Sequence, residues 1–273
     1  MLGRRVATAL VLLAALLPAI FVFPPVVWGA LTLAFLAVAA WEWVRLLAGS
    51  VAAPIATGAV LAAGGAVLAW RAGNTLALWP EIALCVALLA FWVVFAPLRL
   101  RGHEARRGGW PLAAFLLFGC WFALYELRVL GPLPLFSSMA VIWIADIAAY
   151  FVGRALGRRK LAPSISPGKS WEGAIGGAIA VAVIGVAAAS VPALGGSLPA
   201  VLVTRLGASG AVIVLIAIAA LSIVGDLHES LLKREAGVKD SGWILPGHGG
   251  VLDRIDAMIP TMPAALLLYR LLG

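Results

Sequence analysis

Between Lys239 and Asp256 the chain reads "KDSGWILPGHGGVLDRID", which gathers Asp240, Asp253 and Asp256 with His248, Lys239 and Arg254 inside 18 residues. Asp253 and Asp256 are i, i+3, so a helix that begins here carries both on one face of its first turns, where the positive helix end favours carboxylates. Just upstream, "LSIVGDLHESLLKREAG" spaces Asp226, Glu229, Ser230 and Lys233 at i, i+3, i+4 and i+7, again on one helical face. Carboxylates that converge in this way repel one another unless a cation binds. Oxygen donors with no cysteine and few histidines suit Mg2+ rather than Zn2+. Lys233, Arg234, Lys239 and Arg254 stand beside them and can hold phosphate oxygens. Acidic and basic clusters on glycine-rich backbone are the groups needed to handle a magnesium nucleoside triphosphate. A plainer reading of the stripe is an Asp–Lys or Glu–Lys pair that closes the end of a bundle helix.

A third stretch, "SISPGKSWEG" from Ser164 to Gly173, sets Lys169 beside Ser166 and Ser170, all able to bind phosphate. Its "GKS" looks like the end of a phosphate loop. Pro163 stands where that loop needs glycine, and no strand is expected before it, so a loop of that type is rejected. Glu172 opens the next apolar run, where it can cap or form a salt bridge. Asp146 lies within "VIWIADIAAYFVGR", with Tyr150 and Arg154 on its face. An unpaired buried aspartate is costly, so it either pairs with a basic residue or joins a polar cavity. The other polar residues invite simpler assignments. Glu42 in "AAWEWVR" is expected to pair with Arg45, and Glu81 and Glu126 to be solvated near the ends of their spans. His103 is expected to face lipid headgroups, and the 11 tryptophans to form interface belts.

These groups sit in a very apolar chain. Of its 273 residues 63% are hydrophobic and 12% charged, with mean hydropathy +1.07, against about 25% charged in soluble domains. The fold class expected is an all-α integral membrane protein. Runs near the roughly 20 residues a spanning helix needs fall at about 6–23, 26–47, 53–71, 76–97, 111–129, 134–156, 173–192, 209–232 and 252–272. "FPP" after the first run reads as a tight turn. The basic start and long apolar stretch of "MLGRRVATALVLLAALLPAIFVFPP" favour an uncleaved first transmembrane helix over a secretory leader. With nine spans and a cytoplasmic N-terminus, 16 of the 20 Lys and Arg residues fall on the cytoplasmic side and 4 on the other, as the positive-inside rule requires. The polar gaps 99–110, 157–172 and 233–251 then all face the cytoplasm, which puts an active site at that membrane face. The outward gap 193–208 carries no visible chemistry. Residues 1–130 form an N-terminal unit of about five spans, and 131–273 the catalytic region. The net charge of +8 serves topology and anionic headgroups or substrates, so nucleic acid is not an expected partner. Cys85 and Cys120 read as small core hydrophobes with no disulfide implied.

The stretch "SLLKREAGVKDSGWILPGHGGVLDRID", Ser230 to Asp256, closely resembles the signature of phosphatidate cytidylyltransferases, also called CDP-diacylglycerol synthases, and fills each of its fixed positions. "ADIAAYFVGRALGRRKLAPSISPGKSWEG" resembles the family's upstream block, with Ala148 in place of the commoner Gly and Gly168 where a basic residue is frequent. The resemblance covers residues 145–256, and the first 130 residues match in hydropathy alone. It implies transfer of CMP from CTP to phosphatidate, giving CDP-diacylglycerol and pyrophosphate for phospholipid biosynthesis in the cell inner (plasma) membrane. Phosphatidate would arrive sideways from the inner leaflet. The resemblance implies Asp226, Asp253 and Asp256 as ligands of Mg2+, with Asp240 nearby and K+ as a candidate second ion. Lys169, Ser230, Lys233, Arg234, Lys239 and His248 would hold phosphates of CTP and lipid, with Ser166, Ser170 and Arg254 beside them. The lipid monoester is already anionic, so the reaction needs charge neutralisation and in-line alignment more than a strong base. The oligomeric state stays open, a homodimer included.

Two other readings share parts of this pattern. A CTP-using enzyme acting on another lipid, an isoprenoid alcohol kinase or an archaeal-lipid cytidylyltransferase, needs much the same groups, and the pattern cannot read acyl chains. A membrane transporter also uses intramembrane acids and unwound Gly-Pro segments, although its site lies near the midplane while these residues crowd one membrane face.

Overall fold

Apolar runs in lipid must satisfy their own backbone groups, and helices do so within one segment. The computed structural model describes residues 2–48, 52–71, 77–245, 247 and 249–273. The apolar runs form α1 (Leu2–Phe21), α2 (Pro25–Ala48), α3 (Ala52–Arg71), α4 (Leu78–Gly102), α5 (Gly109–Leu130) and α6 (Pro132–Leu156). After a hairpin come α7 (Trp171–Ala189), α8 (Leu198–Glu235) and α9 (Leu252–Leu272). Among the described residues, 8 helices, α2 to α9, are long and apolar enough to cross a membrane. α4 carries a π-helical turn at Phe91–Phe95, and α9 is interrupted between Ile255 and Met258.

The sequence explains most boundaries. Pro132 and Pro199 sit in the first turns of α6 and α8, where a missing amide costs nothing. Ser170 caps α7 by accepting the Gly173 amide at 3.2 Å, and Ser197 caps α8 by accepting that of Ala200 at 3.4 Å. The eighth run departs most from expectation. It begins at Leu198 rather than near 209, and a break at Gly207 (φ 71°, ψ 170°) separates a short leading helix from the long one. Leu198 and Leu202 in that leading helix are buried, so tertiary packing holds it where a hydropathy scan sees a gap. The 157–172 gap is not a plain loop either. β1 (Lys160–Ala162) pairs antiparallel with β2 (Ser166–Ser170), with Lys160 opposite Ser170. A strand does therefore precede α7, but "GKS" lies within it rather than in a strand-to-helix loop.

α7 packs on α6 through glycine. A Cβ at Gly173 or Gly177 would lie 2.8 and 2.7 Å from the carbonyl oxygens of Ala149 and Ala145, a close approach typical of helices in lipid. Ile147, Phe151, Ile175, Ile179 and Val183 on the outer faces of this pair are exposed, as lipid-facing residues should be. Cys85 and Cys120 are buried. The tryptophans divide. Trp79, Trp171 and Trp243 are exposed, whereas Trp28, Trp92 and Trp121 are core residues and not interface belts. The indole N–H of Trp28 donates to the Leu124 carbonyl at 3.0 Å and that of Trp121 to the Gly29 carbonyl at 2.9 Å, so these rings fasten α2 to α5.

One end of the bundle holds a buried charge cluster. Arg270 near the end of α9 reaches Glu81 of α4 at 2.5 Å and Glu126 of α5 at 2.9 Å, and Arg71 of α3 reaches Glu126 at 2.7 Å. Glu81 and Glu126 are therefore not solvated as expected. Their partners lie on other helices, and sequence spacing along one helix could not reveal them.

Candidate active site

At the other end of the bundle, the C-terminal ends of α6 and α8, the hairpin and the start of α9 enclose a cavity of about 790 Å³, within the roughly 300–1,000 Å³ range of small-molecule sites. α6 contributes Asp146, Tyr150 and Arg154. The hairpin contributes Ser166, Lys169 and Ser170, α8 contributes Asp226, and α9 contributes Asp253, Arg254 and Asp256. Seven residues singled out as site candidates from the sequence thus share one wall although they come from three separate stretches.

The carboxylates are held in different ways. Asp226 accepts the Lys169 ammonium at 2.5 Å and, one turn along α8, the Ser230 hydroxyl at 3.2 Å. Lys233 contacts Glu229 at 2.5 Å and Asp253 at 2.6 Å. The plainer Glu–Lys pair therefore exists, and the same lysine also ties α8 to α9. The second oxygen of Asp253 accepts the Ser241 amide and hydroxyl, each at 3.0 Å, and the Gly250 amide at 2.9 Å. Gly249 makes this loop possible, since its φ is +82° and a Cβ would lie 2.9 Å from the Asp253 carboxylate. Asp256 accepts the following Ala257 amide at 2.7 Å and lies close enough to Asp226 for mutual repulsion. Gly225 allows this proximity, because a side chain there would meet the Asp256 carbonyl oxygen at 2.5 Å. Asp146 joins the polar cavity, where it feels both Asp226 and Lys169. The Tyr150 hydroxyl accepts from Arg154 at 3.1 Å.

Other candidates lie elsewhere. Arg234 donates to the carbonyls of Ile165 and Val238, both at 3.3 Å, and so anchors the hairpin turn to the end of α8. Lys239 and Asp240 are exposed on the connecting loop, outside the cavity wall. His248 lies outside the described residues. Glu172 accepts the amides of Arg158 at 3.1 Å and Arg159 at 3.2 Å, which secures the base of the hairpin. His103 sits 3.1 Å from the Ser164 hydroxyl at the hairpin turn.

Glu42 corrects the sequence reading. It is buried and turned towards α9, where it accepts the Leu252 amide at 2.8 Å and the Ser241 hydroxyl at 3.2 Å. Arg45, its expected partner, instead lies over the Trp41 ring at 4.5 Å. The one available signal was the cost of an acid inside an apolar helix.

The donor chemistry fits magnesium. Asp146, Asp226, Asp253 and Asp256 face the cavity with Lys169, Arg154 and Arg254, so a triphosphate would meet an excess of carboxylate unless cations came with it. Among the described residues, no 3 His, Cys, Asp or Glu side chains converge to cage an ion by themselves. Mg2+ is commonly bound by one or two carboxylates completed by substrate phosphates and water, which is what Asp226 and Asp256 can offer.

A cavity of this chemistry, cut into one end of a bundle of membrane-length helices, defines a membrane-embedded site for phosphate-bearing substrates. The chain belongs to the cytidylyltransferase family, whose model matches residues 3–272. It is 40% identical over 287 residues to a phosphatidate cytidylyltransferase of Pseudomonas aeruginosa, covering 98% of this chain and 97% of that one. It is 34% identical to a phosphatidate cytidylyltransferase of Haemophilus influenzae over 96% of each chain. A third protein of that name, from Bacillus subtilis, is 42% identical over 71% of this chain and 68% of its own.

Proposed function

We propose that this protein transfers CMP from CTP to phosphatidate, giving CDP-diacylglycerol and pyrophosphate for phospholipid biosynthesis. The observation that carries this is similarity to phosphatidate cytidylyltransferases along almost the whole chain. In the reaction, a phosphate oxygen of phosphatidate attacks the α-phosphorus of CTP. A P–O bond forms there, the bond to the oxygen bridging the α- and β-phosphorus breaks, and pyrophosphate leaves with that electron pair. Because the attacking monoester is already an anion, the protein's task is to bring two polyanions together and align them. Lys169, Arg254 and Arg154 offset phosphate charge, and the Ser166 hydroxyl adds a donor. Lys233 holds Asp253, and with it the start of α9. Asp226 and Asp256, with Asp253 behind them, are the residues for magnesium, which when bound neutralises phosphate charge. Roles for Ser170, Ser230, Arg234, Lys239, Asp240, His248 and a potassium ion belong to the same proposal. The lipid reaches the cavity past Tyr150 and Arg154, two exposed residues of its α6 wall.

Purified protein given CTP and Mg2+ should release pyrophosphate only when phosphatidate is present. Release that instead requires an isoprenoid alcohol or an archaeal ether-lipid phosphate would overturn the reading.

The topology proposed with it is nine spans in the bacterial inner (plasma) membrane, with the N-terminus and the cavity on the cytoplasmic side. Cysteines introduced in 157–172 or 233–251 should then react with an impermeant thiol reagent only from the cytoplasm. A homodimer is the assembly to test by cross-linking in the membrane.

A further inference from the structure

Glu42 stands on α2, far in sequence from every residue of the cavity wall, yet it is completely buried behind that wall. Its Oε2 accepts the Leu252 amide at 2.8 Å. That amide opens α9, so a carboxylate borrowed from another helix satisfies its first N–H group and complements its positive end. The Ser241 hydroxyl lies 3.2 Å from Glu42 and 3.0 Å from Asp253, so one hydroxyl stands between two carboxylates. The surrounding backbone closes tightly on Glu42. A Cβ at Gly242 would collide with its Oε1, and one at Gly250 would collide with the Ser241 hydroxyl and lie 2.6 Å from Glu42 Oε2. The next residue, Trp43, sets its ring 5.7 Å from that of His228, which precedes Glu229 on α8. This single turn of α2 therefore touches both α9, which carries Asp253 and Asp256, and α8, which carries Asp226. Burying a carboxylate here is costly, and an apolar side chain would fill the space without that cost.

We propose that Glu42 is a positioning residue for nucleotidyl transfer. Through the Leu252 amide and the Ser241 hydroxyl it fixes the placement of Asp253 against Lys233 and the direction in which α9 presents Asp256 to the cavity. It touches no substrate and acts through the loop it holds. The inference rests on the activity proposed above and assigns to the N-terminal helices a part in it.

The test compares Glu42→Gln with Glu81→Gln, the same change at the buried charge cluster of the opposite end. Both should lower the thermal midpoint in detergent. Glu42→Gln alone should lower kcat, by about 100-fold, the scale on which small misplacements of catalytic groups act, while KM for CTP stays within about threefold. Hydrogen exchange across 241–256 should quicken in Glu42→Gln and not in Glu81→Gln. A kcat for Glu42→Gln within about threefold of wild type, or an equal loss in Glu81→Gln, would make Glu42 merely structural and overturn the proposal. Should Glu42→Gln fail to accumulate, Ser241→Ala removes only the bridge and should lower kcat about tenfold; wild-type turnover in that variant overturns the proposal as well. If the wild-type protein makes no product from CTP and phosphatidate, the functional reading falls, and the exchange measurement still decides whether Glu42 orders the loop.

Discussion

Lys169 and Asp226 stand 2.5 Å apart, the first on a short hairpin and the second towards the C-terminal end of a membrane-length helix. The contact closes the cavity on one side and is partly accessible, with side-chain exposures of 25% and 35%. Such a pair contributes about 1 kcal/mol or less to stability, so its place in the fold is better explained by what the cavity binds.

Lys169→Met should therefore lower kcat/KM for CTP by about 100-fold or more, with a thermal midpoint close to that of the wild type. Pyrophosphate release and a melting curve on the same preparation check both parts. A large loss of midpoint would make the lysine a structural clamp.

Asp253 and Asp256 should behave differently when each becomes asparagine. Asp253 is held by Lys233 on one oxygen and by Ser241 and Gly250 on the other, so Asp253→Asn should lose activity and also about 1–3 kcal/mol of stability. Asp256 faces repulsion from Asp226, so Asp256→Asn should lose activity while its midpoint holds or rises. Residual activity above about a tenth in Asp256→Asn, a barrier change under roughly 1.4 kcal/mol, would exclude it as a metal ligand. Sequence spacing treats these two residues as equivalent, and the structure separates them by their hydrogen-bond partners.

Arg270→Met should destabilise the protein by about 3–5 kcal/mol, because it strips the Glu81 and Glu126 carboxylates of a buried partner. The cluster lies at the end of the bundle away from the cavity, so kcat of the folded fraction should not change. Denaturation in mixed micelles reads the first effect and initial rates the second.

Activity should rise with pH as the phosphatidate monoester loses its second proton, with an apparent pKa of roughly 6 to 7, since phosphate monoesters titrate near 6. The deprotonated lipid is the better nucleophile, which gives the rise its sign. His248→Gln can still donate a hydrogen bond and should keep the rising limb at partial activity, whereas His248→Ala should lose more. If the limb vanishes in the glutamine variant, His248 is a general base and the lipid titration does not control the rate.

Much of this protein follows from its sequence alone, because lipid imposes a simple rule. Apolar runs of spanning length become helices, and α2 to α7 and α9 lie within a few residues of where hydropathy puts them. The polar stripe of α8, the loop after it and the start of α9 are legible because their polar residues are expensive in a membrane and are spaced to share faces. The tertiary structure decided which of those groups meet. It made Lys233, the i+4 partner of Glu229, also a bridge to Asp253, and made the 157–172 gap a hairpin that delivers Lys169 to Asp226. It also brought Glu42 to Leu252 and joined Arg270 to Glu81 and Glu126. These pairings are long-range, and no local period encodes them. A buried charge takes its partner from whichever helix the packing sets beside it, and small residues such as Gly173, Gly225 and Gly242 determine how closely those helices and loops approach.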